Sequence, residues 1–100
     1  MHDPEMEVGT ALERVLMAIG SERRRQDALK AAGRFDYTAA DPIPPGLKLA
    51  MLGEEFGEVA RQVLTQPETG IAHDTEGSLA NLRKELTHVA AVAAAWLETL

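Results

Sequence analysis

The chain has 100 residues, no cysteine, 16 Asp and Glu against 10 Lys and Arg, and 45% apolar residues of which only a small minority are aromatic. That length allows one small domain, and the lack of cysteine excludes a disulfide scaffold, thiolate-held zinc, iron–sulfur clusters and thiol catalysis. A formal charge of -6 argues against polymeric nucleic acid and anionic membranes, which are bound through basic patches.

Sixteen Ala and twelve Leu stand against nine Val and Ile, so the expected class is all-α. The acidic start Met1 to Glu7 lacks the basic and apolar regions of a secretion signal. No apolar run approaches the length of about 20 residues that spans a bilayer, and the expectation is a soluble cytoplasmic protein.

From about Glu5 to Ala32 the apolar residues Val8, Leu12, Val15, Leu16 and Ile19 recur at helical spacing, which predicts a first helix with one buried stripe closed by Gly33. At the same angle the stripe continues into Glu22, Arg23 and Gln26. An inward face that turns from apolar to polar halfway along predicts a helix whose end lines a cavity; the alternative is an exposed charge run. The segment 33–44 carries two prolines and no period and reads as a loop, with Phe35 and Tyr37 expected to fold over other residues.

Pro45 suits a first helical turn, and Leu49, Leu52, Phe56, Val59 and Val63 predict a second helix from about Pro45 to Leu64. A turn-rich stretch from Gln66 to Gly77 follows. Leu79, Leu82, Leu86, Val89, Val92 and Trp96 then predict a third helix from about Ser78 to Leu100, with Ser78 as N-cap. Three long helices with loops of this length bury little alone, so the bundle of 1–100 is expected to be one domain completed by self-association, as a homodimer or homotetramer.

The carboxylates are unevenly placed. On a helical wheel Glu54, Glu55 and Glu58 form one acidic edge, with Glu55 beside the apolar stripe. Glu85 falls at the centre of the third stripe. A buried carboxylate needs a cation, either a basic side chain such as Arg23 or Arg61 or a metal. His88, one turn later, is either a further ligand or a surface histidine. Glu54, Glu55, Glu58 and Glu85 would supply hard oxygen ligands of the kind that Mg²⁺ and Mn²⁺ prefer, in a site that clamps a di- or triphosphate. The bound cation inverts the local sign of charge, so an acidic chain is compatible with such a substrate. Gln26 offers an amide suited to a base edge, and Arg23 or Lys30 suits phosphate.

These residues resemble the all-α nucleoside triphosphate pyrophosphohydrolases typified by MazG, whose signature is Glu-Glu-x-x-Glu followed by Glu-x-x-Asp on the next helix. Here Glu54-Glu55-Phe56-Gly57-Glu58 and Glu85-Leu86-Thr87-His88 occupy the two parts. The segments Glu22 to Gln26, Leu82 to Leu86 and Val89 to Trp96 are similar to short phage-type and bacterial members.

The resemblance implies Mg²⁺-dependent hydrolysis, with Mn²⁺ as a substitute, of a nucleoside or deoxynucleoside triphosphate to monophosphate and pyrophosphate, in nucleotide-pool house-cleaning. Carried over by position, Glu54, Glu55 and Glu58 are the catalytic candidates. Glu54, Glu55, Glu58 and Glu85 are the candidate metal ligands, with His88 as a further candidate, and Arg23, Gln26, Lys30 and Arg83 are the candidate substrate contacts.

His88 stands where the family usually has aspartate, and imidazole suits Mn²⁺, Fe²⁺ or Zn²⁺ better than Mg²⁺. That departure leaves open fewer Mg²⁺ ligands, a transition metal, or a chain without catalysis. Two further readings compete: a dimetal iron or manganese carboxylate four-helix bundle built on Glu85-x-x-His88, and an inactive helical interaction module. Kinase and zincin readings lack their motifs.

Overall fold

The computed structural model describes residues 9–64 and 76–100. Three helices, α1 (Ala11–Ala31), α2 (Pro45–Leu64) and α3 (Glu76–Leu97), make the fold all-α. None of them is long and apolar enough to cross a membrane. The expected first turn from Glu5 to Val8, most of the Gln66 to Gly77 stretch, and both His2 and His73 lie outside the described residues.

Both ends of α1 have a local cause. Thr10 accepts a hydrogen bond from the Glu13 N–H at 3.1 Å, and its hydroxyl donates to the Glu13 carboxylate at 3.2 Å. That Thr-x-x-Glu spacing belongs to the capping box and sets the start of α1 at Ala11, later than the apolar period alone predicts. At the other end Gly33 takes φ 76°, while its N–H bonds to the Lys30 carbonyl and the Arg34 N–H to the Leu29 carbonyl. This is a Schellman closure, in which glycine accepts a left-handed conformation that a Cβ would strain. α2 begins at Pro45 as expected. α3 begins at Glu76, so Ser78 sits inside its first turn rather than capping it, and the helix stops at Leu97.

α3 lies in the middle and packs against both α1 and α2. Ala91 and Ala95 are fully buried, and their small side chains let the backbones approach closely. The apolar centre is Ala39, Val92 and Ala95, with Ala40, Met51, Leu52 and Trp96 packed around it. Ala39 comes from the loop 32–44, which is therefore part of the core. Thr38 and Asp41 close a turn there: the Thr38 N–H bonds to Asp41 Oδ2 at 2.7 Å, and Lys30 Nζ donates to Asp41 Oδ1.

The burial pattern corrects the expected stripes. Leu12, Val15 and Leu16 of α1 and Leu49 and Phe56 of α2 are each more than half exposed, and Leu79 and Leu86 of α3 are exposed as well. Among the described helices α3 is the only one that packs against both others, and α1 and α2 each turn a narrow face inward. The buried residues of α1 are Arg23 and Gln26, and that of α2 is Lys48.

Long cationic chains reach this position because their heads find partners. Arg23 Nε donates to Glu98 Oε2 at 2.6 Å, and one guanidinium nitrogen also reaches Gln26 and Asp27. Lys48 Nζ donates to Thr99 Oγ1 at 3.1 Å. Both contacts tie the residues after α3 back to the other helices.

A core this small leaves no slack at the helix crossing. Ala95→Leu is expected to lower stability by about 1–3 kcal/mol, the usual cost of forcing extra methylenes into a packed site. Urea denaturation followed by circular dichroism measures it, and an unchanged midpoint would show that the crossing is looser than described.

Candidate metal centre

The three helices converge on one imidazole. His88 on α3 directs Nδ1 toward Glu55 Oε2 of α2 at 3.7 Å and toward Glu85 Oε2, one turn earlier on its own helix, at 3.8 Å. On the other edge of the ring, Nε2 lies 3.6 Å from Glu22 Oε2 of α1. The Glu22 and Glu85 side chains are mostly buried, at 10% and 19% exposure, and those of Glu55 and His88 are partly covered.

Glu55, Glu85 and His88 each offer one donor atom, all within 4.8 Å of one another. Ligand atoms about 2.0–2.2 Å from a common ion lie no more than about 4.4 Å apart. The separations of the two carboxylate oxygens from His88 Nδ1, 3.7 and 3.8 Å, fall within that span. Two carboxylate oxygens and an imidazole nitrogen form a donor set that fits a divalent cation and leaves positions for further ligands.

Beside the triad is a cavity of about 230 Å³. Glu22, Arg25 and Gln26 of α1 form one wall, Phe35, Tyr37 and Thr38 of the loop another, and Met51, Glu54 and Glu55 of α2 a third. His88 and Val92 of α3 complete it. Of the stripe expected to face inward on α1, the polar half does so, with Glu22 and Gln26 on the cavity wall, while the apolar half of Leu12, Val15 and Leu16 is exposed. Phe35 and Tyr37 fold over the same space.

The other residues singled out in the sequence distribute unevenly. Glu54 lines the cavity but is outside the triad, and it is exposed. Glu58 shares a separate recess with Glu85, Arg61 and Gln62. Gln26 accepts from Arg23 at 2.9 Å and hydrogen-bonds Glu22, so its amide is oriented.

The three cations expected to contact substrate lie elsewhere. Arg23 is buried against Glu98, Lys30 is paired with Asp41, and Arg83 borders an apolar groove with Val15 and Leu86. Arg25 is the guanidinium on the cavity wall instead. The sequence places it three residues after Glu22, and residues three apart share a helix face. Arg25 Nε and its terminal nitrogen each reach a Glu22 oxygen at 2.7 Å.

The electrostatics separate the carboxylates. Burial raises the pKa of Glu55; His88 opposes this, but the negative charges of Glu85, Glu54 and Glu58 add to it, and the net shift is upward. A cation at the triad relieves that repulsion. Burial also acts to raise Glu22, yet the hydrogen bond from Arg25, the charges of His88 and Arg25, and Gln26 together leave its pKa lowered. Glu22 is thus held as a carboxylate.

Away from the centre, the hydrogen bond from Arg23 holds the Glu98 pKa below its ordinary 4.5. A carboxyl with a depressed folded-state pKa adds stability that is present above the ordinary value and is lost as pH falls through the folded one. Stability is therefore expected to fall on acidification below about pH 4.5, and Glu98→Gln to flatten that fall. Urea midpoints from pH 7 to pH 3 measure the effect, and identical pH profiles for the two proteins would refute it.

The fold and the centre together define an all-α chain with a cluster of two carboxylates and an imidazole that could hold a cation, beside an aromatic and amide-lined cavity. No family model, curated protein or solved structure matches the chain.

Proposed function

We propose that this chain is a metal-dependent nucleoside triphosphate pyrophosphohydrolase of the MazG-like type. The observation that carries the reading is the meeting of Glu55, Glu85 and His88 at the edge of a cavity walled by Gln26, Phe35 and Tyr37. Cation-binding groups and base-sized recognition surfaces thus stand side by side. The cavity is below the range of about 300–1,000 Å³ usual for a whole drug-sized ligand, so it takes part of a nucleotide and leaves the phosphates toward the carboxylates.

A divalent cation supplies Lewis-acid stabilisation of charge on the phosphate oxygens. Glu55, Glu85 and His88 hold it, with Mg²⁺ or Mn²⁺ as the ion, and Glu54 and Glu58 add negative charge around it. Phe35 and Tyr37 give faces for a base to stack on, and Gln26 reads its edge. Arg25 provides the cation for phosphate that Arg23, Lys30 and Arg83 do not.

In the reaction, a water oxygen bonds to the α-phosphorus and the bond to the bridging oxygen breaks. Pyrophosphate leaves, and Glu54, on the cavity wall and outside the triad, accepts the water proton. The working form is a homodimer or homotetramer. A screen of nucleoside and deoxynucleoside triphosphates for pyrophosphate release, with Mg²⁺ and then Mn²⁺, tests the reading. Release from at least one of them supports it, and release from none with either ion overturns it.

A further inference from the structure

Glu22 has no place in the metal-ligand signature, yet its mostly buried carboxylate faces the edge of His88 that points away from the triad. An imidazole that binds a metal through one nitrogen almost always donates its other N–H to a carboxylate, carbonyl or water, and that partner fixes the ring and raises its basicity. We propose that Glu22 is such a positioning residue: its Oε2, 3.6 Å from His88 Nε2, closes to accept that N–H when metal is bound, presents Nδ1 to the cation shared with Glu55 and Glu85, and so favours nitrogen-preferring divalent ions over Mg²⁺. The proposal rests on the metal reading of the triad and is independent of hydrolysis.

Three observations support this role over that of a fourth ligand. The two ring nitrogens are divided, Nδ1 toward Glu55 and Glu85 and Nε2 toward Glu22. Both Glu22 oxygens already accept from the Arg25 guanidinium at 2.7 Å. That positive fork disfavours a metal ion on the same carboxylate but leaves lone pairs for one more N–H. Finally, the four participants come from three elements: α1 supplies the orienting group, α2 one carboxylate, and α3 the imidazole and the other carboxylate. Arg25 and Gln26 hold Glu22, Glu22 holds His88, and His88 meets the cation.

The consequence is selectivity. Mg²⁺ is satisfied by oxygen ligands and water, whereas Mn²⁺, Co²⁺ and Zn²⁺ gain from an oriented imidazole. The test uses Zn²⁺ and Mg²⁺ alone with the full chain, by calorimetry at one pH. Glu22→Ala is expected to weaken Zn²⁺ binding about 10–100-fold and Mg²⁺ binding by no more than about twofold. In a His88→Ala background the same change should weaken Zn²⁺ binding no further. Nitrogen-15 spectra of the Zn²⁺-loaded protein should show His88 Nδ1 bound to metal and Nε2 protonated.

Equal losses for both ions, full additivity with His88→Ala, or metal on Nε2 would each overturn the proposal. If Glu22→Ala does not fold, Glu22→Gln keeps the side-chain size and is expected to show a smaller Zn²⁺-specific loss; no such loss would also overturn it. A protein with this Zn²⁺ behaviour and no nucleotide hydrolysis upholds the role of Glu22 and removes the hydrolase reading. Active hydrolysis with Zn²⁺ affinity indifferent to Glu22 does the reverse.

Discussion

Glu55→Gln and Glu85→Gln are each expected to lower metal-dependent pyrophosphate release by on the order of 10²–10³-fold, the scale on which removal of one preorganised electrostatic group acts. The two carboxylates come from different helices and reach the same nitrogen of His88, so neither can replace the other. The substitution keeps side-chain volume and removes the negative charge.

Stability should move the other way at Glu55. Its pKa is raised in the folded chain, so the ionised form costs folding free energy above that pKa, and the cost disappears as pH falls through it. Without metal at neutral pH, Glu55→Gln is therefore expected to melt at or above the wild-type temperature while losing the stabilisation that added Mn²⁺ confers. A variant that is less active only because it is unfolded would show the opposite melting shift. Unchanged release in both variants would refute the assignment of these carboxylates.

What the sequence made legible follows the range of the interactions involved. The start of α2 at Pro45 and the end of α1 at Gly33 depend on one residue's own backbone preference and were readable. The Thr10 to Glu13 cap was equally local, but the run of apolar spacings before it obscured the signal. Glu85 stood out because a carboxylate interrupted an apolar stripe, and Glu22 and Gln26 because a stripe changed character.

Non-local pairing was not readable. Arg23 is buried because Glu98, 75 positions away, reaches its guanidinium, and Lys48 because Thr99, 51 positions away, accepts from its ammonium. No spacing rule connects such residues. Arg23 looked like a phosphate contact because its type fits one, and the structure uses it to hold the chain end. Lys30, whose type also suits phosphate, pairs with Asp41 of the loop. The stripes were legible as apolar but not as to what covers them, because α3 can satisfy only part of each.

That uncovered surface gives the second large effect. The chain is expected to sediment as a dimer or tetramer at tens of micromolar, and Leu12→Asp together with Leu16→Asp to return it to a single chain of 10.8 kDa. Leu12, Val15, Leu16 and Met17 are all more than half exposed on α1. Val15 also borders a groove with Ile19, Leu86 and Ala90, which continues the apolar surface onto α3. Apolar patches that extend over two elements are uncommon on monomers, and each leucine that becomes covered contributes about 1.5–3 kcal/mol.

A second copy is the proposed occupant, because the apolar core formed by the described residues is limited to a few small side chains and a symmetric pairing would extend it. Self-association also predicts a melting temperature that rises with protein concentration in the wild type and not in the double variant. Analytical ultracentrifugation decides between the two states. A wild-type protein that sediments as a monomer, with a concentration-independent melting temperature, would show that the exposed leucines serve a different partner.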